Sequence, residues 1–289
     1  MTATTCNQQV LRSTATGLLE TTVTASGQYI SWTHCCGAQA PSNFSQLQPT
    51  LPTPTQLICV GDGDATTRRY RTQTTKILPE LMLEEDTQVL QRTGQQWGRA
   101  LKTLHHSHPA TAGTHPPPRS YQRAGSWLNG DWALSREVLG ETGLATIRGW
   151  ATTMVSAAAE VLVHGSPGIA HWTVAKDPKV PGVLLTGEDT GIADPSYDVA
   201  WILGELAELH YFYPQLRAAV FAVQTGLQHG YGPTMDPRQH RSGIAYRLVQ
   251  HAYDWNHYAG ASAAQASLLL RLATAYLQEP PPEERNTHG

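Results

Sequence analysis

Ser166 stands between two histidines, and this is where residue types and spacing first suggest chemistry. It lies two residues after His164 and five residues before His171. An imidazole that accepts the hydroxyl proton makes a serine nucleophilic, and Asp177 or Asp189 could orient that ring. The surrounding HGSPG differs from the GxSxG motif, and its proline removes a backbone N–H that an oxyanion hole would use. A Ser–His enzyme therefore stays an alternative only.

Two other segments carry histidines at spacings that could suit a metal ion. Segment 105–115 contains four histidines, but it runs into proline-rich sequence without a cysteine or glutamate at a useful spacing. We interpret it as a solvated connection. His251, Asp254 and His257 share one helical face, and they could bind a metal, line a cleft or form a polar surface. We expect no bound metal in the chain, in these segments or elsewhere.

The composition argues against nucleic-acid and membrane partners. The 289 residues include 20 Lys and Arg and 23 Asp and Glu, a formal net charge of −3. This balance offers no basic surface for nucleic acid, and no apolar stretch approaches the roughly 18 residues of a membrane helix. The N-terminal MTATTCNQQV lacks the features of a secretory signal. Four cysteines without CxxC spacing indicate reduced thiols, so we expect a cytoplasmic protein.

Residue patterns predict a β-rich start followed by a helical body. Alternation of apolar and polar residues indicates strands, and spacings of three and four residues indicate helices. The GDGDAT segment at 61–66 is typical of a turn. The predicted strands are 27–32, 57–60, 161–163 and 183–185, and the predicted helices are about 66–83, 86–106, about 134–160 and segments after 197.

An ordered set of motifs surrounds the two short strands of the helical body. The first strand ends in His-Gly, about 20 residues follow, and the second strand precedes GxxDPxYDxA. The set is VLVHGSPGIAHWTVAKD and then GVLLTGEDTGIADPSYDVAWILGEL. It resembles the aminoglycoside phosphotransferase family, whose fold is protein-kinase-like. TGQQWGRALKTLHHSHP upstream and LQHGYGPTMDP downstream resemble further segments of that family.

The resemblance implies an α+β, protein-kinase-like fold with two lobes. A small and reduced β-rich N-lobe would cover residues 1–92. A mainly helical C-lobe with a remnant of the catalytic loop would cover 93–279, and residues 280–289 would form a flexible tail. This is the fold class that we predict.

The same resemblance locates the positions of a phosphotransferase's catalytic groups. The catalytic aspartate directly follows His-Gly, where this chain has Ser166, whose hydroxyl is too weak a base. The metal-binding amide corresponds to His171, a poor ligand for Mg²⁺. The second metal-binding aspartate corresponds to Thr186, and the nucleotide-binding lysine corresponds to Cys59. The resemblance therefore implies a catalytically degenerate relative, a pseudokinase.

Neighbouring residues have other expected roles. Glu188 and Asp189 follow the second short strand and could replace the lost metal ligands if the loop were shifted by two residues. Asp194 and Asp198 are expected to cap the helix after DPSY. The ring of His164 is expected to brace the catalytic loop, as it does in the family.

Late helices line the acceptor cleft in proteins of this fold. Aromatic and polar side chains of this part of the chain are therefore candidates for a substrate cleft. The candidates are Trp172, Tyr253, Asp254, Trp255 and His257.

These observations lead to one favoured function and two alternatives. We favour a degenerate phosphotransferase-like protein without a cofactor that binds a peptide, a small metabolite or a partner protein. By analogy, its place would be a natural-product or peptide-maturation pathway acting on Ser and Thr residues. The first alternative is an active phosphotransferase using Mg-ATP or Mg-GTP, with Glu188 or Asp189 as metal ligand. The second is a different enzyme that uses Ser166 or His171 on the same scaffold.

Overall fold

A computed structural model of the chain describes most of residues 9–278. Cys6, the tail 280–289 and the end of the helix predicted to reach residue 160 lie outside the described residues. Within 9–278, the structure does not describe residues 28, 52–54, 110–114, 157–160, 176 and 178.

The described residues form strands and helices in an order that agrees with a β-rich start and a helical body. The strands are β1 (Gln9–Ala15), β2 (Leu19–Ser26), β3 (Tyr29–Cys36), β4 (Pro49–Thr50), β5 (Ile58–Val60), β6 (Asp62–Gly63), β7 (Thr67–Thr72), β8 (Lys76–Ile77), β9 (His108–Pro109), β10 (Val161–Val163), β11 (Trp172–Val174), β12 (Val183–Thr186) and β13 (Gly191–Ala193). The helices are α1 (Leu78–Glu84), α2 (Thr87–His105), α3 (Arg119–Arg123), α4 (Gly125–Leu128), α5 (Ala133–Met154), α6 (Ser196–Phe212), α7 (Arg217–Tyr231), α8 (Arg241–Tyr258) and α9 (Ala263–Gln278).

The N-terminal half is built on an antiparallel sheet with the strand order β1-β2-β3-β7-β6. Successive side chains of a strand point to opposite faces. In β3 this alternation buries Ile30, Trp32 and His34 on the inner face of the sheet. The central strand therefore directs both an indole and an imidazole toward the C-terminal half.

A second sheet joins the two halves of the chain. Its order is β5-β12-β11-β8, so a hairpin of the C-terminal half lies between two N-terminal strands. β5 pairs in parallel with β12, where Cys59 lies opposite Leu185. β8 pairs antiparallel with β11 through Ile77 and Thr173. Backbone hydrogen bonds therefore connect the lobes on both sides of the hairpin.

The helix predicted from residue 66 to about 83 is wrong for its first half. That part forms β7 and β8, and only α1 is helical. In β7 the sequence TRRYRT buries every second residue, including Arg68, Tyr70 and Thr72. The spacing from Tyr70 to Ile77 and Leu78 suits a helix as well, but pairing of β7 with β3 decides the outcome.

The helical body gives the C-terminal half its core and confirms the prediction of an α+β, two-lobe fold. Asp86 caps α2 by accepting hydrogen bonds from the backbone N–H groups of Gln88 and Val89. α2 and α7 approach so closely that a Cβ atom at Gly94 would lie 2.2 Å from the carbonyl oxygen of Val223. None of the helices in the described residues is both long and apolar enough to cross a membrane.

Candidate functional site

The loop after β10 carries the His-Gly-Ser sequence and is fixed by the ring of His164. The buried His164 donates a hydrogen bond from Nε2 to the carbonyl oxygen of Leu185 at 2.7 Å. Its Nδ1 accepts a bond from the Ser166 backbone N–H at 3.3 Å. Burial and the neighbouring His171 lower the pKa of His164. A neutral ring with one fixed tautomer therefore braces the loop.

Asp198 connects three of the motifs found in the sequence. Its carboxylate is fully buried and accepts hydrogen bonds from the backbone N–H groups of His164 at 2.7 Å and Gly165 at 2.8 Å. It also accepts a bond from His105 Nε2 at 3.0 Å, and His105 Nδ1 lies 2.7 Å from the Tyr231 hydroxyl. Asp198 thus supports the loop rather than capping α6.

Asp194 does cap α6. Its carboxylate accepts a hydrogen bond from the Ser196 backbone N–H at 2.8 Å, and its carbonyl accepts one from the Tyr197 N–H at 2.9 Å. The two aspartates of the DPSYD sequence therefore have different structural tasks.

Glu188 is a buried carboxylate in the loop after β12. It accepts a hydrogen bond from the Tyr70 hydroxyl at 2.5 Å and another from the Nδ1 atom of His34. The Nε2 atom of His171 lies 3.6 Å away from its second oxygen. Burial raises the pKa of Glu188, but the charges of His34 and His171 outweigh burial and hold it well below its usual value. This carboxylate therefore links the two lobes.

Asp189 faces two buried guanidinium groups. It accepts hydrogen bonds from Arg119 Nη1 at 2.9 Å and Arg123 Nη1 at 3.4 Å, and Arg123 also contacts Asp254 at 3.2 Å. Burial would raise the pKa of Asp189, but Arg123 and Arg119 outweigh it and lower the pKa to about 2. A Cβ atom at Gly165 (φ +90°) would lie 2.2 Å from the Asp189 carbonyl oxygen, so the two loops need glycine there.

We predict that in the Asp189→Asn variant the free energy of unfolding falls less steeply with decreasing pH than it does in the wild-type protein. Because the pKa of Asp189 in the folded protein is about 2, below the unfolded value of 3.8, its stabilisation is present above about pH 4. It is lost as the pH falls toward 2 and amounts to about 2 kcal/mol. Urea unfolding between pH 2 and 7 measures this slope. The control Asp62→Asn changes an exposed carboxylate, and an unchanged slope in Asp189→Asn would contradict the prediction.

A cavity of about 350 Å³ opens in front of these loops. Ser166, His171, Glu188 and Asp189 form its polar floor. Its other walls come from the β1–β2 turn and from α6 and α8. They include Leu18, Leu19, Trp201, Arg247, His251, Asp254, Trp255 and Tyr258.

Of the five residues predicted to line a substrate cleft, the structure places Asp254 and Trp255 at this cavity. Trp172 is fully buried and stacks on Trp97 with ring centroids 6.2 Å apart, because it points inward from β11. Tyr253 and His257 stack on each other with centroids 3.9 Å apart. These two residues, four apart on α8, share the helix face that packs on Trp132 rather than the face toward the cavity.

Cys59 lies on β5 beside the strand of Thr186 and outside the cavity that Ser166 and His171 line. Its thiol contacts the carbonyl oxygen of Arg71 at 3.8 Å, beside a separate cavity of about 410 Å³ that Thr74 and Val183 also line. Thr186 is buried, and its hydroxyl has no hydrogen-bond partner among the described residues. The structure thus places neither residue in the cavity that Ser166 and His171 line.

Aromatic side chains pack between the N-terminal sheet and β12. The buried residues form an interlobe cluster, and the Trp32 indole N–H donates a hydrogen bond to the carbonyl oxygen of Thr74 at 3.0 Å. Buried side chains of this kind pack closely, so the sheet and β12 are in direct contact at the cluster. The interlobe cluster consists of Val23, Ile30, Trp32, Tyr70 and Leu185.

Comparison with known proteins gives a clear result only at the level of structure. No protein-family model matches the sequence, and no curated protein matches it. A choline/ethanolamine kinase family protein from Mesorhizobium loti superposes with a TM-score of 0.57 at 12% identity, over 96% of this chain and 90% of that one. The amicoumacin kinase hAmiN superposes with a TM-score of 0.53 at 11% identity, covering 95% and 90% of the two chains.

An aminoglycoside phosphotransferase, a thermostable mutant of APH(4)-Ia, gives a TM-score of 0.53 at 10% identity, over 94% of this chain and 95% of that one. This chain has the aminoglycoside phosphotransferase fold. The similarity extends over almost all of each chain, so the kinase-like fold expected from the motif set is confirmed.

The neighbours with this kinase-like fold include complexes with nucleotides, which raises the question of a magnesium nucleotide site. The hAmiN complex contains AMP-PNP and Ca²⁺, and the APH(4)-Ia complex contains ADP. In this chain His171 offers a nitrogen and Thr186 a buried hydroxyl at the expected metal positions. Glu188 and Asp189 already accept hydrogen bonds from His34, Tyr70 and Arg119. This donor set does not fit a hard ion that bridges phosphates.

The hypothesis of a Ser–His enzyme also lacks support, because it needs a hydrogen bond through which a histidine accepts the serine proton. Both residues line the cavity, but no hydrogen bond joins Ser166 to His171 in the part of the chain that the structure describes. The Ser166 N–H bonds to His164 instead.

Three residues of this site, His34, Arg119 and Arg123, were not predicted from the sequence. The alternation of β3 places His34 on the same face as Ile30 and Trp32, and this signal was available in YISWTHCC. Arg119 and Arg123 lie four residues apart on α3 after three prolines, and no motif marks them.

Proposed function

We propose that this kinase-like chain does not transfer phosphate. Instead it binds a peptide, a small metabolite or a partner protein in the cavity of about 350 Å³. The observation that carries this proposal is the interlobe cluster, in which side chains of the N-terminal sheet pack directly on Leu185 of β12, the strand that ends at Thr186.

The position of the interlobe cluster argues against nucleotide binding. In kinase-like folds the nucleotide phosphates lie between the N-lobe strands and the metal-binding aspartate. Here Trp32 and Tyr70 extend from those strands to contact Leu185, next to Thr186. The N-terminal strand β5 is also hydrogen-bonded directly to β12. A nucleotide in that place would have to displace buried aromatic rings and separate a strand pair.

The open cavity favours a ligand that is partly apolar. Trp255, Tyr258 and the leucines of the β1–β2 turn form an apolar wall opposite the polar floor. Arg123 is paired with Asp189 and Asp254, so its charge is compensated within the protein. The volume is at the small end of ligand sites. It suits a small metabolite or one or two side chains of a peptide, such as a Ser- or Thr-containing segment in a maturation pathway.

We predict that the purified chain binds neither ATP nor GTP, with or without Mg²⁺. Isothermal calorimetry at millimolar nucleotide is expected to show no saturable heat, because the interlobe cluster lies where the phosphates would bind and the carboxylates of Glu188 and Asp189 are already hydrogen-bonded within the protein. A matched titration with the variant Glu188→Gln, Asp189→Asn controls for those two carboxylates. Magnesium-dependent binding in the micromolar range that both substitutions abolish would contradict the proposal and favour an active phosphotransferase.

A further inference from the structure

Three side chains that can bind metals meet between the two lobes. His34 comes from β3, His171 from the loop before β11, and Glu188 from the loop after β12. One potential ligand atom from each lies within 4.8 Å of the others. His34 and Glu188 are 3% and 4% exposed. We call these three residues the interlobe triad.

The interlobe triad holds one buried carboxylate between two imidazole rings. Glu188 is a buried carboxylate, and the rings of His34 and His171 are 6.1 Å apart. The Nδ1 atom of His34 contacts one oxygen of Glu188, and the Nε2 atom of His171 lies 3.6 Å from the other, so both rings face one carboxylate. A divalent cation would balance the carboxylate while both rings stay neutral, which is the form in which histidine binds metals.

Surrounding groups orient the triad as the outer residues of metal sites do. The Tyr70 hydroxyl is buried and donates a hydrogen bond to Glu188 at 2.5 Å, which fixes one carboxylate oxygen. The rings of His164 and His171 meet edge to face with centroids 5.1 Å apart. His171 and Glu188 also line the cavity with Ser166, so a small molecule or water can reach them.

We propose that the interlobe triad binds one divalent transition-metal ion, with Zn²⁺ as its best match, and that the cavity supplies the open coordination position. Two histidines and a glutamate form a three-residue ligand set of open zinc sites. Bonds of about 2.0–2.2 Å place tetrahedral ligand atoms about 3.3 Å apart. On binding, the ligand atoms that lie up to 4.8 Å apart would move closer, and bonds to the ion would replace the hydrogen bond between His34 and Glu188. This inference goes beyond the proposed function and does not depend on the absence of nucleotide binding.

Zinc binding to the full-length, untagged chain after chelator treatment tests this proposal. Calorimetry with ZnCl₂ and no nucleotide is expected to show one ion per chain. His34→Ala, His171→Ala and Glu188→Gln are each expected to lower the affinity at least about a hundredfold. His251→Gln is the matched control, because His251 pairs with Glu208 at 2.7 Å beside the same cavity but outside the triad.

Two further measurements keep the test decisive if a triad variant does not fold. Cobalt binding to the wild-type chain is expected to give the visible absorption of a four-coordinate site, and Zn²⁺ is expected to raise the melting temperature reversibly with chelator. Absence of binding by both ions at micromolar concentration would overturn the proposal. Wild-type zinc affinity in a folded triad variant would also overturn it. Loss of zinc binding in the double variant His108→Gln, His115→Gln would place the ion in segment 105–115 and would likewise overturn the proposal. The nucleotide titration is a separate experiment, so either proposal can fail alone.

Discussion

Replacement of Asp198 by alanine is expected to destabilise the protein by about 3–5 kcal/mol. The side chain is completely buried and accepts hydrogen bonds from two backbone N–H groups and the ring of His105. Its removal leaves these donors without a partner, and each buried unsatisfied donor carries a large desolvation cost. Urea unfolding of the variant at neutral pH measures the loss.

The neighbouring Asp194→Ala is the matched control for this experiment. Asp194 is only partly buried and caps α6 through one side-chain bond to Ser196, so its loss should cost about 1 kcal/mol. If the two substitutions lowered the free energy of unfolding equally, this would contradict the role of Asp198 as the support of the His-Gly-Ser loop.

Trp32→Ala is expected to cause the second large decrease in the free energy of unfolding. Trp32 is 1% exposed at the centre of the interlobe cluster, and alanine would leave a cavity beside Tyr70 and Leu185. Truncation of such a side chain costs about 3–5 kcal/mol. The hydrogen bond from the indole to the carbonyl of Thr74 is lost as well. Thermal or urea unfolding measures the change in the free energy of unfolding.

Two comparisons check the interpretation of Trp32→Ala. Tyr29→Ala removes an aromatic side chain that is 46% exposed on the same strand, and it should cost about 1 kcal/mol or less. A folded Trp32→Ala protein should still show no magnesium-dependent ATP binding, because the hard metal ligands remain absent. A gain of such binding would show that packing alone excludes the nucleotide.

Local sequence patterns were sufficient to predict the secondary-structure elements that depend on residues close together in the sequence. The strands on either side of the loop and the start of α6 follow from apolar runs and from the DPSYD sequence. The α2 helix, with its cap at Asp86, lies within one residue of the predicted 86–106 segment. These elements are encoded within about 20 residues each, so no tertiary contact was needed to find them.

Features that depend on distant contacts could not be predicted in this way. The contact between His34 and Glu188 joins residues 154 positions apart. Trp172 was predicted to line a cleft, but a three-residue strand has too little pattern to show which face is buried. The 66–77 segment has spacing that suits either structure, and its pairing partners are distant in sequence. β7 pairs with β3, earlier in the chain, and β8 pairs with β11, far later in the chain.

The sheet shared by the two lobes has a mechanical consequence. In enzymes that close around a substrate, the parts move about a hinge while the bonds within each part stay intact. Here the Leu184 N–H donates to the Leu57 carbonyl and the Gly61 N–H donates to the Thr186 carbonyl, across the line along which such opening would occur. Separation of the lobes would break these backbone hydrogen bonds and expose Trp32. Opening of the cleft would therefore require partial unfolding of the protein. The shape of the cavity is therefore coupled to the pairing of these strands, and a change in the angle between the lobes would cost the hydrogen bonds of that pairing.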